Sequence, residues 1–314
     1  MASRASSVNR ILVIRGGAIG DFVLTLPAMK LLRDRFPDAR LEILGHPRIA
    51  ALAEKRFYAD AVGSIESASL APFFAAESDL PAAQVRYFGG FDLILSYLSD
   101  PAGVFEANVR RCGPATFLPG PWKLDESEHA AAQLARPVVA NLGGFLPSPA
   151  AHLFPTDADR LSVRSFATGA ANAIALHPGS GSEKKNWPLE RWIKLGAMLL
   201  AQGNELIIVA GEADTARTGR LKAEWKGEPV RFAETLPLPQ LAALLEHRAF
   251  IGHDSGISHI AAAVGAHCIL LFGPTNPAVW APANRQVTVL RAPGGTMDSL
   301  EPERVAAAFL TTAR

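Results

Sequence analysis

One pattern constrains this chain more than any other: a short apolar run, a turn containing glycine, then a helical periodicity, repeated through both halves. Strands that alternate with helices in this way build parallel sheets covered by helices, so the fold class is α/β. In the first half the runs at 11–14, 41–44, 61–65 and 92–97 are predicted strands, with helices over 19–36 and 104–111. A second, more regular series follows, with strands at 173–177, 205–210, 249–252 and 268–272. Its helices are predicted over 189–201, 213–222, 239–246 and 256–264.

With 314 residues, 49% of them hydrophobic, the chain exceeds the size at which one core stops growing, and two domains are expected. Between 137 and 159 stand Pro137, Gly143, Gly144, Pro147, Pro149 and Pro155, a density of helix and strand breakers suited to an interdomain connection. The expected domains are 1–155 and 160–297. A terminal helix within 298–314 carries Leu300, Val305 and Phe309 on one side and can dock on either domain, with packing back on the first as the expectation.

The 31 Lys+Arg against 30 Asp+Glu, a net charge of +1, give no global attraction for nucleic acid, so anionic ligands must be held locally. Cys112 and Cys268 belong to no CxxC or Cys/His cluster, which fits a reducing cytoplasm. The first residues are polar without an apolar leader, and no apolar stretch approaches the roughly 20 residues that cross a bilayer. Any membrane contact is expected to be peripheral.

In Arg15-Gly16-Gly17-Ala18-Ile19-Gly20-Asp21, the glycines Gly16, Gly17 and Gly20 let backbone and ligand approach beside a helix N-terminus. The dinucleotide fingerprint is not met: it needs GxGxxG and an acid about 20 residues later, where this chain has Gly45-His46. Asp21 has two readings. It can stabilise the helix start by its charge. Alternatively, from the C-terminal edge of a sheet, it can act as general base on a sugar hydroxyl attacking an anomeric carbon.

The loop 177–188, His-Pro-Gly-Ser-Gly-Ser-Glu-Lys-Lys-Asn-Trp-Pro, joins a strand to a helix through small residues. Its backbone N–H groups, Ser180, and Lys184 or Lys185 can capture phosphate oxygens, each charge-assisted bond contributing about 1.5–3 kcal/mol. The alternative is two solvated lysines. The segment 252–259 again joins strand to helix, and Ser255, Gly256 and Ile257 place helix-start N–H groups where a diphosphate can meet them. Asp254 either binds sugar hydroxyls or caps the helix; His259 either donates to phosphate or packs within it. His253 and His259 lack a third ligand at zinc spacing, so no metal is expected. Glu212, after a strand ending at Ala210, either accepts from ribose hydroxyls or is a solvated carboxylate.

In order and spacing, Gly-Gly-Ala-Ile-Gly-Asp at 16–21, the His-Pro-Gly-Ser loop with its Lys-Lys-Asn-Trp-Pro, and Asp-Ser-Gly-Ile-Ser-His-Ile-Ala-Ala-Ala at 254–263 resemble the family 9 glycosyltransferases, the ADP-heptose:lipopolysaccharide heptosyltransferases. The resemblance spans most of the chain. It implies GT-B architecture: two Rossmann-like domains with parallel sheets facing a central cleft, the first mainly binding acceptor and the second mainly binding nucleotide sugar. It implies inverting, metal-independent and cofactor-free transfer of a heptose from ADP-heptose to a lipopolysaccharide core or related lipid-linked glycan. The setting it implies is cytoplasmic, with at most peripheral contact with the inner membrane.

Carried over by residue, Asp21 falls on the family's catalytic base, and Lys185 on its phosphate-binding lysine, with Ser180 in the same loop. Glu212 falls on the ribose-binding acid and Asp254 on the donor-sugar contact. Ser255, Gly256, Ile257 and His259 match the segment that wraps the diphosphate, while Gly16, Gly17 and Gly20 are expected near donor and acceptor. The stretch 67–90 and the linker carry no matching pattern. Two rival readings stand beside this one. A sugar-nucleotide epimerase of GT-B type needs carboxylates acting on the sugar ring, and a non-catalytic nucleotide-sugar-binding module gives Asp21 no proton to accept.

Overall fold

The computed structural model describes residues 8–167, 173–211 and 214–312. By its contacts the chain divides into two units, Met1–Ala18 with Thr25–Pro149, and Ile19–Leu24 with Ala150–Arg314.

The first unit is built on parallel strands β1 (Arg10–Arg15), β2 (Arg40–Gly45), β3 (Ala61–Ser64), β4 (Leu93–Ser96) and β5 (Thr116–Pro119), in the order β3-β2-β1-β4-β5. Ile11 of the central β1 pairs with Leu41 on one side and Leu93 on the other, and Ile11, Leu12, Val13 and Ile14 are wholly buried. A strand covered on both faces has no polar side to show, which is why it reads as an unbroken apolar run. Phe73, Phe88, Phe91 and Phe105 gather against Leu12 and Ile14 to form a largely aromatic core.

The second unit carries parallel strands β6 (Ile174–His177), β7 (Leu206–Ala210), β8 (Val230–Glu234), β9 (Ala249–His253), β10 (His267–Phe272) and β11 (Val287–Arg291), in the order β11-β10-β9-β6-β7-β8. Trp187, Trp192, Leu195, Leu199 and Trp225 pack here with Ile174 and Leu176, and the rings of Trp187 and Trp192 meet edge to face at 5.2 Å. In each sheet the order of strands reverses beside the first strand laid down, between β1 and β4 and between β6 and β9. Loops leaving the C-terminal ends of such a pair turn in opposite directions and open a crevice between them. In the second sheet these are the loops after His177 and His253.

Three strands escape the sequence pattern: β5, β8 and β11. All lie at sheet edges and are only partly buried, so polar residues interrupt their apolar run, as in Val-Arg-Phe-Ala-Glu for β8. The patternless stretch 67–90 holds a 3-10 turn, Ala68–Phe74, and a helix, Ala82–Gly89. The breaker-rich segment is shorter than expected. Pro137 lies inside the helix Ala130–Leu142, which continues past it although the ring has no N–H to donate. On the other side Thr156 caps the helix Asp157–Ser162, its hydroxyl accepting from the Asp159 amide while Asp159 accepts from the Thr156 amide at 2.8 Å. The unit boundary falls between, at Pro149 and Ala150.

The terminal helix corrects the expectation that it returns to the first domain. Pro302–Thr312 packs on the helix Leu189–Ala201, and Leu300, Val305 and Ala306 belong to the second unit's core. The cause lies just ahead of the helix, where the Leu300 carbonyl accepts from the Trp187 indole at 2.9 Å and from Arg191 at 3.0 Å. Among the described residues no helix is long and apolar enough to cross a membrane.

Leu300 is wholly buried, so Leu300→Ala should cost about 2–5 kcal/mol in the stability of the second unit, read from urea unfolding followed by tryptophan fluorescence. An unchanged midpoint would remove this segment from the core.

Candidate functional site

The crevice between β6 and β9 is shaped by two loops. After His177, Ser180 donates to the Ser182 carbonyl at 2.8 Å and accepts from the Ser182 amide at 3.3 Å, which turns the chain. A 3-10 turn, Glu183–Lys185, follows. At about three residues per turn, neighbours in such a helix point well apart, and the two lysines separate accordingly. Lys184 is exposed. Lys185 donates from Nζ to Oδ2 of Asp254 at 2.6 Å, and Thr275 donates to the same oxygen at 2.7 Å. The Asp254 side chain is 8% exposed and that of Lys185 30%. An ion pair this buried contributes little net stability, because desolvating both charges offsets their attraction. What it fixes is the direction of the ammonium and of the carboxylate.

The imidazole of His253, the last residue of β9, holds this loop in place. Its Nε2 accepts from the Trp187 amide at 2.8 Å, which leaves the ring proton on Nδ1, facing the Gly179 carbonyl at 3.3 Å. Complete burial pushes its pKa down to about 3. His177 is held neutral in the same way: burial lowers its pKa, and Nδ1 donates to the Val209 carbonyl of β7 at 2.9 Å.

Beyond Asp254 the helix Gly256–Ala263 begins, and its N-cap is Ser255, whose hydroxyl accepts from the Ser258 amide. The capping alternative weighed for Asp254 therefore falls to its neighbour, and Asp254 keeps its carboxylate for Lys185 and Thr275. Gly256 and Ile257 stand in the first turn, where backbone N–H groups have no acceptor within the helix. His259 is buried, 5% exposed. Gly20 belongs by contacts to this same unit, and a Cβ placed on it would stand 3.4 Å from the His259 ring.

β1 runs into Gly16–Ala18 and the helix Ile19–Arg35, with Asp21 in its first turn and partly exposed. Gly17 has φ of +90°, a conformation L side chains rarely adopt. Gly16 is not under that constraint, and the nearest atom to a Cβ there is 3.8 Å away. Glu212 lies outside the described residues. Among the described residues no three His, Cys, Asp or Glu side chains are grouped to hold a metal ion.

The structure thus brings Lys185, Asp254, Ser255, Gly256 and Ile257 to one sheet edge. Ser180 is engaged within its own turn, and Lys184 stands apart. Sequence reasoning missed Thr275, whose only signal was its place in a Gly-Pro-Thr-Asn-Pro turn after β10, and weighed His253 only as a metal ligand, its crosslinking role leaving no spacing to recognise.

The family model for glycosyltransferase family 9 (heptosyltransferase) matches residues 128–307. The chain is 24% identical over 291 residues to lipopolysaccharide heptosyltransferase 3 of Escherichia coli K12, covering 84% of this chain and 82% of that protein. It is 32% identical over 124 residues to lipopolysaccharide heptosyltransferase 1 of Pseudomonas aeruginosa, covering 38% of this chain and 33% of that one. Among solved structures, a family 9 glycosyl transferase from Veillonella parvula aligns with a TM-score of 0.81 at 17% identity, covering 99% of both chains. The E. coli heptosyltransferase WaaC with ADP aligns at 0.74 and 19%, covering 96% of this chain and 99% of that one. At such identities these likenesses speak for the fold, two Rossmann-like units of the GT-B kind.

The buried neutral histidines set a pH dependence. Below about pH 6.5 the unfolded chain takes up a proton that native His253 refuses until about 3, so its contribution to stability is present above 6.5 and is lost as pH falls. Between about pH 7.5 and pH 5.5 the loss is about 1.4 kcal/mol for this residue. Urea unfolding of the wild type and of His253→Gln should show the variant losing less by that amount over the same interval; equal losses would contradict the assignment.

Proposed function

This chain belongs to glycosyltransferase family 9, and we propose that it moves a heptose from ADP-heptose to a lipopolysaccharide core or related glycan acceptor, inverting the anomeric centre without a metal. The observation that carries this reading is the Lys185–Asp254 contact at 2.6 Å, which joins the two loops flanking the β6/β9 reversal. An ammonium has three N–H donors; one is spent on Asp254, and the others are available to the oxygens of a diphosphate. The amides of Gly256 and Ile257 add the partial positive charge of a helix N-terminus, about half an elementary charge. Together they supply hydrogen-bond donors for the oxygens of a leaving nucleoside diphosphate. Asp254, oriented by Lys185 and Thr275, accepts hydrogen bonds from the sugar hydroxyls.

The names of the relatives, lipopolysaccharide heptosyltransferases, support heptose as the sugar and a lipopolysaccharide acceptor, and the ADP held by WaaC supports adenine as the base. In the transfer step the acceptor hydroxyl oxygen bonds to the anomeric carbon from the face opposite the diphosphate. Its proton passes to the Asp21 carboxylate as the bond from the anomeric carbon to the diphosphate oxygen breaks. ADP leaves with the electron pair, and attack from the opposite face inverts the configuration. No acid is needed on the leaving side, because the diphosphate departs as a stabilised anion.

Asp21→Asn should lower kcat by roughly 10²–10⁴ in an assay of ADP release with acceptor present, while calorimetry shows ADP-heptose still binding. Unchanged turnover would take Asp21 out of the mechanism. Lys185→Met should weaken ADP binding by roughly 10- to 100-fold, the cost of a charge-assisted contact; an unaltered dissociation constant would place this lysine outside the donor site.

A further inference from the structure

Beyond the C-terminal ends of β4 and β5 the first unit holds a cavity of ≈ 350 Å³, lined by none of the candidate site residues. It adjoins the glycine turn: Leu98, in its wall, stands 3.8 Å from where a Cβ would lie on Gly16. The C-terminal edge of a parallel sheet is where α/β units take their ligands. At about 300–1,000 Å³ for small-molecule pockets in general, this one has room for one or two sugar rings.

Its mouth carries Trp122, 50% exposed. A single exposed aromatic needs no explanation, but the turn that carries this one is fixed by its neighbours. The Gly120 amide donates to the Ser96 carbonyl at 2.7 Å, and a Cβ on Gly120 would collide with the Tyr97 ring. Tyr97 is itself buried and donates to the Leu134 carbonyl at 2.6 Å. Pro119 and Pro121 stiffen the turn from either side. The backbone from which the indole projects is therefore held in place at the rim of the cavity. Phe105 and Phe117 supply apolar wall.

Two carboxylates stand in the lining, beside the Ser96 hydroxyl and the Trp122 indole N–H. Asp100 takes the Glu106 amide on Oδ2 at 2.9 Å, which orients its carboxylate, and Glu106 is paired on its other side with Arg110. No Lys or Arg is among the lining residues. The cavity thus offers an aromatic face and the carboxylate of Asp100, with that of Glu106 already paired to Arg110, where the Lys185 loop offers an ammonium. A ring with an apolar C–H face and hydroxyl donors satisfies it; a phosphate or carboxylate on that ring is repelled.

We propose that this cavity is a saccharide subsite for a neutral pyranose, its ring face on Trp122 and its hydroxyls on Asp100. That the ring belongs to the glycan acceptor rests on the transferase reading above; that the cavity binds sugar does not.

The test uses the full chain labelled with ¹⁵N at tryptophan, the Trp122 indole N–H signal being assigned by its loss in Trp122→Phe. Methyl glucoside and methyl mannoside, titrated to millimolar concentrations, should shift that signal saturably, while glucuronate and glucose 6-phosphate bind at least tenfold more weakly. By saturation-transfer difference, Trp122→Ala should abolish glycoside binding and Asp100→Asn should weaken it roughly tenfold. Both positions are at least partly exposed, and equal thermal midpoints would confirm that the variants fold. A Trp122 signal unmoved by every neutral glycoside overturns the subsite, as does binding that survives Trp122→Ala. Equal affinity for the charged sugars overturns its stated specificity. In kinetics, Trp122→Ala should raise the acceptor KM and leave ADP-heptose affinity unchanged. If transfer is absent but the neutral glycosides still shift Trp122, the subsite stands and only the acceptor assignment falls.

Discussion

The His253 ring accepts the Trp187 amide on one nitrogen and donates to the Gly179 carbonyl from the other, so both ends of the loop between them are tied to the last residue of β9. Everything on that sheet edge follows from this tie. Lys185 lies between the two anchored points, and its flexible four-carbon stem would otherwise spread the ammonium over many positions. Asp254 is the next residue after His253, so fixing the ring also fixes the backbone from which the carboxylate projects. The helix start at Ser255 comes one residue later. A buried neutral imidazole can do this where a lysine or carboxylate could not, since it gives and takes one hydrogen bond each without a charge to desolvate.

How much of this was legible in the sequence depends on how many partners each feature needs. The central strands announce themselves because burial on both faces forces every side chain to be apolar, and β1, β4, β6, β9 and β10 all stand close to their expected places. The edge strands β5, β8 and β11 are half solvated, and their composition overlaps with that of ordinary loops. Ser255 as N-cap is a local affair that a serine before a helix permits, yet the neighbouring Asp254 is an equally good cap on local grounds. Only its tertiary partners Lys185 and Thr275, 69 and 21 residues away, decide between them. The choice between Lys184 and Lys185 was open for the same reason: two adjacent lysines are equivalent until the turn that carries them has a fixed phase.

The two sheets share a topology but present different chemistry. Each reverses its strand order beside its first strand, and each keeps its special loops at the C-terminal edge there. In the second sheet small residues, a helix start and a half-buried ammonium paired with Asp254 stand at that edge. In the first, prolines and aromatic rings stand beside the carboxylates of Asp100 and Glu106. Similar scaffolds therefore sort ligands by what is set into two or three loops, which is how one architecture supports many specificities.

The bond from the Trp187 indole to the Leu300 carbonyl spans 113 residues of chain. During synthesis, which proceeds from the N-terminus and lets domains fold as they emerge, the sheet strands β6 through β11 are all complete before this partner exists. Until the segment around Leu300 arrives, Trp187 and Trp192 lack part of their cover, and the loop between them and β6 has lost one of its supports. Completion of this loop edge is thus timed to the end of translation of this unit. A nascent or cleaved chain lacking that segment would present partly uncovered indoles to chaperones and proteases in place of a finished loop.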